Sequence, residues 1–283
     1  MNINEIAKLA GVSRATVSRY LNNGYVSEEK KKIIRKVIEE TGYQPSSQAQ
    51  MLRTKKTKLV GVILPKIDSN TISREVAGIS DILTKKGYQL ILANTNNNIE
   101  EELKYLSLFK DNQVDGVIFI ATILTKQHRD MLKEYKVPIV LLGQRLEGYP
   151  CIFQDDQKAA MTLTEQMVKT GSKFGYITVT DKDEAVGRKR MSGVEEILSK
   201  NKIEFGSEYV KCGDFTLESG YEKAGELFGE HPDIDTLICA TDTMAVGAVS
   251  WLKKNGYRIP EQVQVAGMGD SSLGKIIEPK LTT

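Results

Sequence analysis

The sequence predicts an all-α head followed by an α/β core of two doubly wound subdomains. Three observations predict this organisation. Residues 1–45 place apolar side chains at helical spacing, residues 59–283 alternate branched apolar runs with amphipathic stretches, and a short basic segment, 54–58, separates the two regions. Strands that alternate with helices are typical of parallel sheets covered by helices.

The head opens with two short helices joined by a tight turn, between Ile3 and Asn22. The apolar residues at helical spacing, which we expect to pack inward, are Ile6, Leu9, Ala10, Val17 and Leu21. Gly11 permits a positive φ in the turn, and Ser13 can cap the second helix. These features predict a helix-turn-helix motif.

In such a motif, the N-terminal residues of the second helix meet base edges in the major groove. Here Arg14 can bond a guanine through two hydrogen bonds, and Ala15 can contact a thymine methyl group. The predicted DNA-binding residues of the head are Ser13, Arg14, Ala15, Thr16, Ser18, Arg19, Asn22 and Tyr25. The alternative is a structural three-helix cap without a role in DNA binding.

A third helix is predicted from Glu28 to about Thr41, with Ser27 as its N-cap and Gly42 as its C-terminal stop. The residues expected to face the core of the head are Ile33, Ile34, Val37 and Ile38. The basic face of this helix, residues 30–36, either approaches DNA or is simply solvated.

Residues 46–58 are predicted to form a hinge helix and a linker. The segment 46–53 is too short to be stable alone, so we expect it to order only against DNA and a second copy of itself. Leu52 would then wedge into a minor-groove step and kink the duplex. The predicted DNA contacts here are Ser46, Ala49, Leu52 and Arg53. The alternative is a plain interdomain linker.

The distribution of charge supports this division. Residues 1–58 carry 12 Lys and Arg against 5 Asp and Glu, whereas residues 59–283 carry 27 against 32. The formal net charge of +2 therefore combines a basic head with an acidic core. A basic head attracts the phosphate backbone and predicts DNA affinity that falls as salt rises.

The core divides into an N-terminal subdomain, residues 59–150, and a C-terminal subdomain, residues 151–283. The predicted strands are Leu59–Leu64, Gln89–Ala93, Val117–Ile120, Ile139–Leu142, Phe174–Val179, Leu237–Cys239 and Val263–Ala266. The predicted helices are Thr71–Lys86, Glu100–Asp111, Lys158–Thr170, Glu184–Lys200, Leu217–Phe228 and Thr243–Asn255. Ligands of such folds bind in the crevice at the carboxyl ends of the strands.

Polar residues that follow the predicted strands are therefore candidates for binding a small effector. They are Lys66, Asp68, Ser69, Asn70, Thr122, Gln144, Arg145, Asp155, Asp156, Arg188, Arg190, Thr241, Asp242, Gly269 and Asp270. Lys66, Arg145, Arg188 and Arg190 would make the crevice cationic and suited to a phosphate group. The alternative is that Lys66 and Arg188 point to solvent or pair with nearby carboxylates, Asp68 and Glu184.

The segments AGVSRATVSRYLN, GYQPSSQAQMLR and KLVGVILP closely resemble the opening of the lactose-repressor/galactose-repressor (LacI/GalR) family, and the likeness continues to Thr283. Within the family the chain most resembles the sucrose operon repressors, with the trehalose repressors next, through segments such as IFIATILTKQH, EAVGRKR and ICATDTMAVGA. The resemblance implies a periplasmic-binding-protein-like core. It also implies a cytoplasmic homodimer that binds a near-palindromic operator and releases it on binding a sugar or phosphosugar.

The resemblance also bears on individual residues. Arg190 lies where the family's effector-binding arginine lies, and Asp242 matches a family aspartate. Thr241 replaces a usual Asn, Gln144 a usual Asp or Arg, and Gly269 a common ligand-binding Asp. These departures remove groups that commonly grip sugar hydroxyls. Family members continue past Thr283, so the resemblance implies that the sequence is truncated at its C-terminus.

Other classes of function find little support. No cofactor or metal site is expected, because the chain lacks a phosphate-loop pattern and its three cysteines have no metal spacing. Cys151, Cys212 and Cys239 suit buried reduced thiols, and we expect His128 and His231 at the surface. We expect no enzyme activity and no membrane span. A secreted sugar-binding protein of the same fold, the alternative function, would need a signal peptide, and the N-terminus lacks its apolar run.

Overall fold

The computed structural model describes residues 1–44, 56–111 and 114–283. The predicted contacts at Ser46, Ala49, Leu52 and Arg53 lie outside these residues. The chain divides into two compact units, residues 1–59 and residues 60–283, and each is described by itself.

Residues 1–44 form three helices, α1 (Ile3–Leu9), α2 (Arg14–Leu21) and α3 (Glu28–Thr41). As predicted, Gly11 adopts a φ of 61° in the turn between α1 and α2, and the Ser13 side chain accepts a hydrogen bond from the Thr16 amide. Gly42 ends α3 with a φ of 62°. Ser27 occupies the N-cap of α3, but its side chain makes no capping hydrogen bond to that helix.

The core of the head forms where the three helices meet, around the fully buried Ile6, Val17 and Ile34. Two predicted core residues are instead exposed, Leu9 at 58% and Ile33 at 42%. Each precedes a core-facing position by one residue, and one residue turns a side chain about 100° around a helix. Spacing alone does not tell which edge of the apolar stripe meets the other helices.

The N-terminal subdomain is a sheet with helices between its strands. Its elements are β1 (Leu59–Leu64), α4 (Asn70–Lys85), β2 (Gln89–Asn94), α5 (Ile99–Lys110), β3 (Gly116–Ile120), α6 (Lys126–Lys133), β4 (Ile139–Leu142) and β5 (Cys151–Ile152). Among the described residues the strand order is β2-β1-β3-β4-β5, with parallel pairing from β1 to β5. Non-consecutive neighbours such as β1 and β3 are the crossover connections that the alternating pattern predicted.

The C-terminal subdomain repeats this architecture. Its elements are α7 (Asp156–Met167), β6 (Phe174–Thr178), a π-helix (Glu184–Lys189) continuous with α8 (Arg190–Lys200), a 3₁₀ turn (Ser207–Tyr209), β7 (Val210–Cys212), α9 (Leu217–Glu230), β8 (Thr236–Cys239), α10 (Asp242–Lys254), β9 (Gln264–Ala266) and α11 (Ser272–Ile276). The strands are parallel in the order β7-β6-β8-β9. The predicted fold class is therefore confirmed.

Two strands escaped prediction because they are too short to show an apolar pattern. They are β5, two residues long, and β7, three residues long. Since β5 pairs with β4, the N-terminal sheet extends to Ile152, and the predicted boundary after residue 150 is two residues early. Within the described ranges, no helix has both the length and the apolar character to cross a membrane.

Candidate functional sites

The candidate DNA-binding surface is the exposed side of α2. Arg14, Ala15 and Arg19 are exposed there, while Val17 faces the core of the head. The Ser13 hydroxyl lies 2.9 Å from the Thr16 hydroxyl, so these two side chains are held at the start of the helix. An exposed Arg-Ala pair at the first turn of a capped helix can approach base edges.

The other predicted contacts of the head lie close to this surface in sequence. Ser18 is half-buried, and its carbonyl accepts a hydrogen bond from the Asn22 amide group. Tyr25 follows the helix and is 90% exposed. Their contacts with DNA stay predictions.

The candidate effector site is a cleft of about 620 Å³ between the two subdomains. Its lining residues are Thr122, Leu124, Arg129, Gln144, Arg145, Glu147, Lys182, Glu184, Arg188 and Lys189. They follow β3, β4 and β6, at the carboxyl ends of the strands where the fold predicts ligands. A volume within the range of about 300–1,000 Å³ suits a small molecule. Four of the predicted effector residues line this cleft, namely Thr122, Gln144, Arg145 and Arg188.

A buried hydrogen bond joins the two subdomains at the cleft. The side-chain amide of Gln144 donates to the Thr122 carbonyl at 2.8 Å and to Asp183 Oδ1 at 2.9 Å. The same Asp183 oxygen accepts the amides of Ala185 and Val186, at the start of the π-helix. Burial raises the pKa of the Asp183 carboxyl above its ordinary value.

Arg190 and Asp156, both predicted to bind an effector, pair with each other. Arg190 Nε donates to Asp156 Oδ1 at 2.8 Å, and Nη2 lies 2.7 Å from the same oxygen. Arg190 Nη1 donates to the carbonyl of Ala240 at 2.6 Å. The side chains are 13% and 6% exposed. The pair therefore ties the starts of α7 and α8 to the end of β8, and Arg190 has few donors left for a ligand.

The loops after β8 and β9 are also internally bonded. Thr241 caps α10 through the Met244 amide. The Asp242 carboxylate is buried and accepts the Ser271 amide and the Thr283 hydroxyl, each at 2.6 Å. Gly269 has a φ of 145°, and the exposed Asp270 pairs with Lys275 at 2.8 Å. The two carboxylates thus have partners within their own subdomain.

The loop after β1 makes a second contact between the subdomains. Ser69 caps α4, and Asn70 Nδ2 donates to Ser272 Oγ at 2.9 Å. Lys66 lies 3.9 Å from Asp68. Asp155 caps α7 and borders a separate cavity beside Thr282 and Thr283. The structure therefore does not bring Asp155 into the cleft with Gln144.

The comparisons with known proteins decide the family. Residues 2–46 match the model of bacterial regulatory proteins of the lacI family, and residues 57–280 match that of periplasmic binding proteins and the sugar binding domain of the LacI family. The chain belongs to the LacI family.

Relatives of this LacI-family regulator include the sucrose operon repressor of Staphylococcus xylosus, which is 31% identical over 283 residues. That match covers 100% of this chain and 87% of the relative. The catabolite control protein A of Priestia megaterium is 32% identical, with coverage of 100% and 86%. The lac repressor dimer bound to operator and an anti-inducer superposes with a TM-score of 0.91 over 99% of this chain and 86% of that one. At 21% identity that likeness concerns the fold.

Family membership confirms the expected class of DNA-binding transcriptional regulator, and members of the family are regulators rather than enzymes. The match over residues 2–46 also sets aside a sugar-binding protein without a DNA-binding head. In the described part of the chain, no cluster of His, Cys, Asp or Glu could hold a metal ion.

Sequence reasoning missed five charged residues that line the cleft, namely Arg129, Glu147, Lys182, Glu184 and Lys189, and the buried Asp183 that Gln144 contacts. Arg129 lies within α6, and helical pattern alone does not show which face of a helix borders a cleft. Asp183 carried a usable signal, because an Asp just before a helix after a strand is a favoured N-cap.

Two expectations about reactive side chains are wrong. His128 is fully buried, and its Nε2 lies 3.1 Å from Oε2 of the buried Glu102. The polar sequence of α6 did not indicate that His128 is buried, because its partner Glu102 comes from a different helix, α5. Cys212 is exposed, since it ends an edge strand, and Cys151 is half-buried. Cys239 is buried as expected, and burial raises the pKa of its thiol.

Proposed function

We propose that this regulator is a repressor that binds a specific operator and releases it when a sugar or phosphosugar occupies the cleft between the two subdomains of the core. The observation that carries the proposal is the cleft itself, whose walls come from both subdomains. A ligand that touches both walls changes the balance between their arrangements. The 31% identity to a sucrose operon repressor over the whole chain supports sucrose utilisation as the controlled process.

The coupling from cleft to DNA would be a population shift. The bonds from Gln144 to Asp183 and from Asn70 to Ser272 cross between the subdomains. A ligand that favours one arrangement strengthens or breaks such bonds. DNA affinity then falls by the difference in the ligand's affinity for the two arrangements.

The proposal includes a homodimer that acts in the cytoplasm on chromosomal DNA. Ile82 on α4 and Ile91 and Leu92 on β2 are exposed apolar side chains of the N-terminal subdomain. Exposed apolar side chains at the edge of a sheet are available to a partner, here a second copy of the chain. Two heads related by a twofold axis would read the two halves of a near-palindromic operator.

We expect Arg14→Ala to change base preference as well as affinity. Loss of a two-point bond to guanine costs about 1–3 kcal/mol and relaxes specificity at that base pair. The measurement is selection from random duplexes, followed by binding of the selected sites at fixed salt. Lys30→Ala, an exposed change on α3, is the control and should leave base preference intact. A lower affinity for Arg14→Ala with unchanged preference would contradict direct readout.

We expect one sugar of a small panel to release the selected operator. The panel is sucrose, sucrose 6-phosphate, fructose and trehalose 6-phosphate, and the readout is fluorescence anisotropy of labelled operator with calorimetry of the sugar. A coupling of about 1–3 kcal/mol corresponds to about 5- to 150-fold weaker DNA binding. Tighter DNA binding on adding a sugar would make that sugar a corepressor. No change with any sugar would reject the proposed effector class.

A further inference from the structure

We infer that the mouth of the cleft is a phosphate-monoester site that needs cations from both subdomains, so that the effector is a phosphorylated sugar. This inference rests on the proposed function and specifies its ligand. The residues of the site, here called the mouth cluster, are Arg129, Arg145, Lys182 and Lys189. Arg129 and Arg145 belong to the N-terminal subdomain, and Lys182 and Lys189 to the C-terminal subdomain.

The mouth cluster has more positive charge than its surroundings neutralise. Two carboxylates, Glu147 and Glu184, line the same cleft as five basic side chains, and a third carboxylate, the buried Asp183, is bonded to the lining residue Gln144. Glu184 is already paired with the fifth basic residue, Arg188, at 2.7 Å. Lys66 is likewise paired with Asp68. The sequence had left open whether Lys66 and Arg188 pair with nearby carboxylates, and both do. These two pairs leave Arg145 as a cation of the expected phosphate site.

The cations of the mouth cluster lack carboxylate partners. Among the described residues, no ion pair forms at Arg129, Arg145, Lys182 or Lys189. Lys189 instead lies with Nζ 5.7 Å from the centre of the Phe153 ring. Arg190, which directly follows Lys189, already bonds Asp156 and the carbonyl of Ala240. Cations that line a cleft without carboxylate partners are available for an anionic ligand.

The chemistry of the mouth cluster favours a phosphate monoester over a neutral sugar. Arg and Lys donate charge-assisted hydrogen bonds that phosphate oxygens accept with geometric specificity. Arginine and lysine carry no acceptor, so they serve the hydroxyl groups of a neutral sugar only as donors. The cleft of about 620 Å³ has the size that a small molecule fills, which sets this site apart from a longer nucleic-acid groove.

Because cations lie on both walls, a bound phosphate would also favour closure of the cleft. Without an anion, like charges on the two subdomains repel each other as the cleft narrows. A phosphate dianion between them replaces repulsion by attraction and favours the closed arrangement. A sugar that lacks the phosphate can enter the cleft but leaves this repulsion in place, so it should couple poorly to DNA release.

The test uses inorganic phosphate as a probe with the whole chain, by calorimetry at constant ionic strength with chloride as the comparator. The variants are Arg145→Gln and Lys182→Gln, one from each wall. The matched controls are Lys86→Gln and Arg258→Gln, exposed residues of the same two subdomains that do not line the cleft. We expect saturable phosphate binding that each cluster variant weakens about tenfold and that neither control changes.

Each other result overturns a stated part of the inference. Absence of saturable binding, equal binding by the cluster variants, or equal losses in the controls would reject the phosphate site. A loss in Arg145→Gln alone would reject the contribution of both walls. Release of operator by sucrose as strongly as by sucrose 6-phosphate would reject the phosphate while sustaining the proposed function. Release by no sugar, with phosphate bound as expected, would reject the proposed function and leave the anion site.

Discussion

Replacing Arg190 with leucine should destabilise the core by about 3–5 kcal/mol, because it leaves a buried carboxylate without its partner. Asp156 is 6% exposed, and both of its short contacts with a cation come from Arg190. The carbonyl of Ala240 loses its arginine donor in the same variant. The measurement is the free energy of unfolding from urea denaturation followed by circular dichroism, with effector binding tested on the folded fraction.

Two further variants distinguish the effect of breaking the Arg190–Asp156 ion pair from the effect of removing any positive charge. Arg188→Leu removes the neighbouring arginine, whose pair with Glu184 is exposed at 58% and 49%, and should cost less than about 1 kcal/mol. The double variant Asp156→Leu with Arg190→Leu removes both buried charges and should recover much of the loss. A double variant as unstable as Arg190→Leu would show that the stability lies in packing rather than in the ion pair.

Replacing Gly220 with alanine should be the most damaging small substitution in α9. A β-carbon there would overlap with the carbonyl oxygen of Met244 in α10. Gly247 of α10 faces α9 in the same way, since its β-carbon would overlap with the carbonyl oxygen of Leu217. The two helix backbones thus touch, and forcing extra volume between them costs about 1–3 kcal/mol, occasionally more.

Gly229 provides the matched control on the same helix. A β-carbon at Gly229 meets no atom within 4 Å, so Gly229→Ala adds helix propensity without a clash and should be neutral or stabilising by up to about 1 kcal/mol. Thermal and urea denaturation of both variants give the comparison. Equal stability of Gly220→Ala and Gly229→Ala would mean that α9 and α10 can separate without cost.

The Arg190–Asp156 pair and the contact between α9 and α10 both hold together the C-terminal subdomain, which forms one wall of the cleft. Arg190 fixes the start of α8 directly after Lys189, a member of the mouth cluster. Contact between α9 and α10 fixes the start of α10, where Asp242 holds the Ser271 amide. A rigid C-terminal subdomain lets a ligand move one wall against the other, whereas a loose one would absorb the binding energy locally.

The sequence by itself determined the elements and their order. Local rules were enough for the turn at Gly11, the cap at Ser13 and the end of α3 at Gly42, because each depends on residues within one helical turn. Buried parallel strands such as β1 and β6 were equally evident from their continuous apolar runs. The same alternation placed candidate residues at the ends of strands, and four of them line the cleft.

Only the tertiary structure decided which of those residues are available to a ligand. Arg190 and Asp156 are 34 residues apart, which is much farther than the residues of a local motif. Their pairing depends on how α7 packs beside α8. Lys182 lines the same cleft as Arg145 only because the two subdomains meet there. Charge interactions depend on distance through space and on burial. Spacing along the chain gives neither the distances through space nor the burial of the charged groups. The sequence therefore predicted a cationic cleft but not which of its cations lack carboxylate partners.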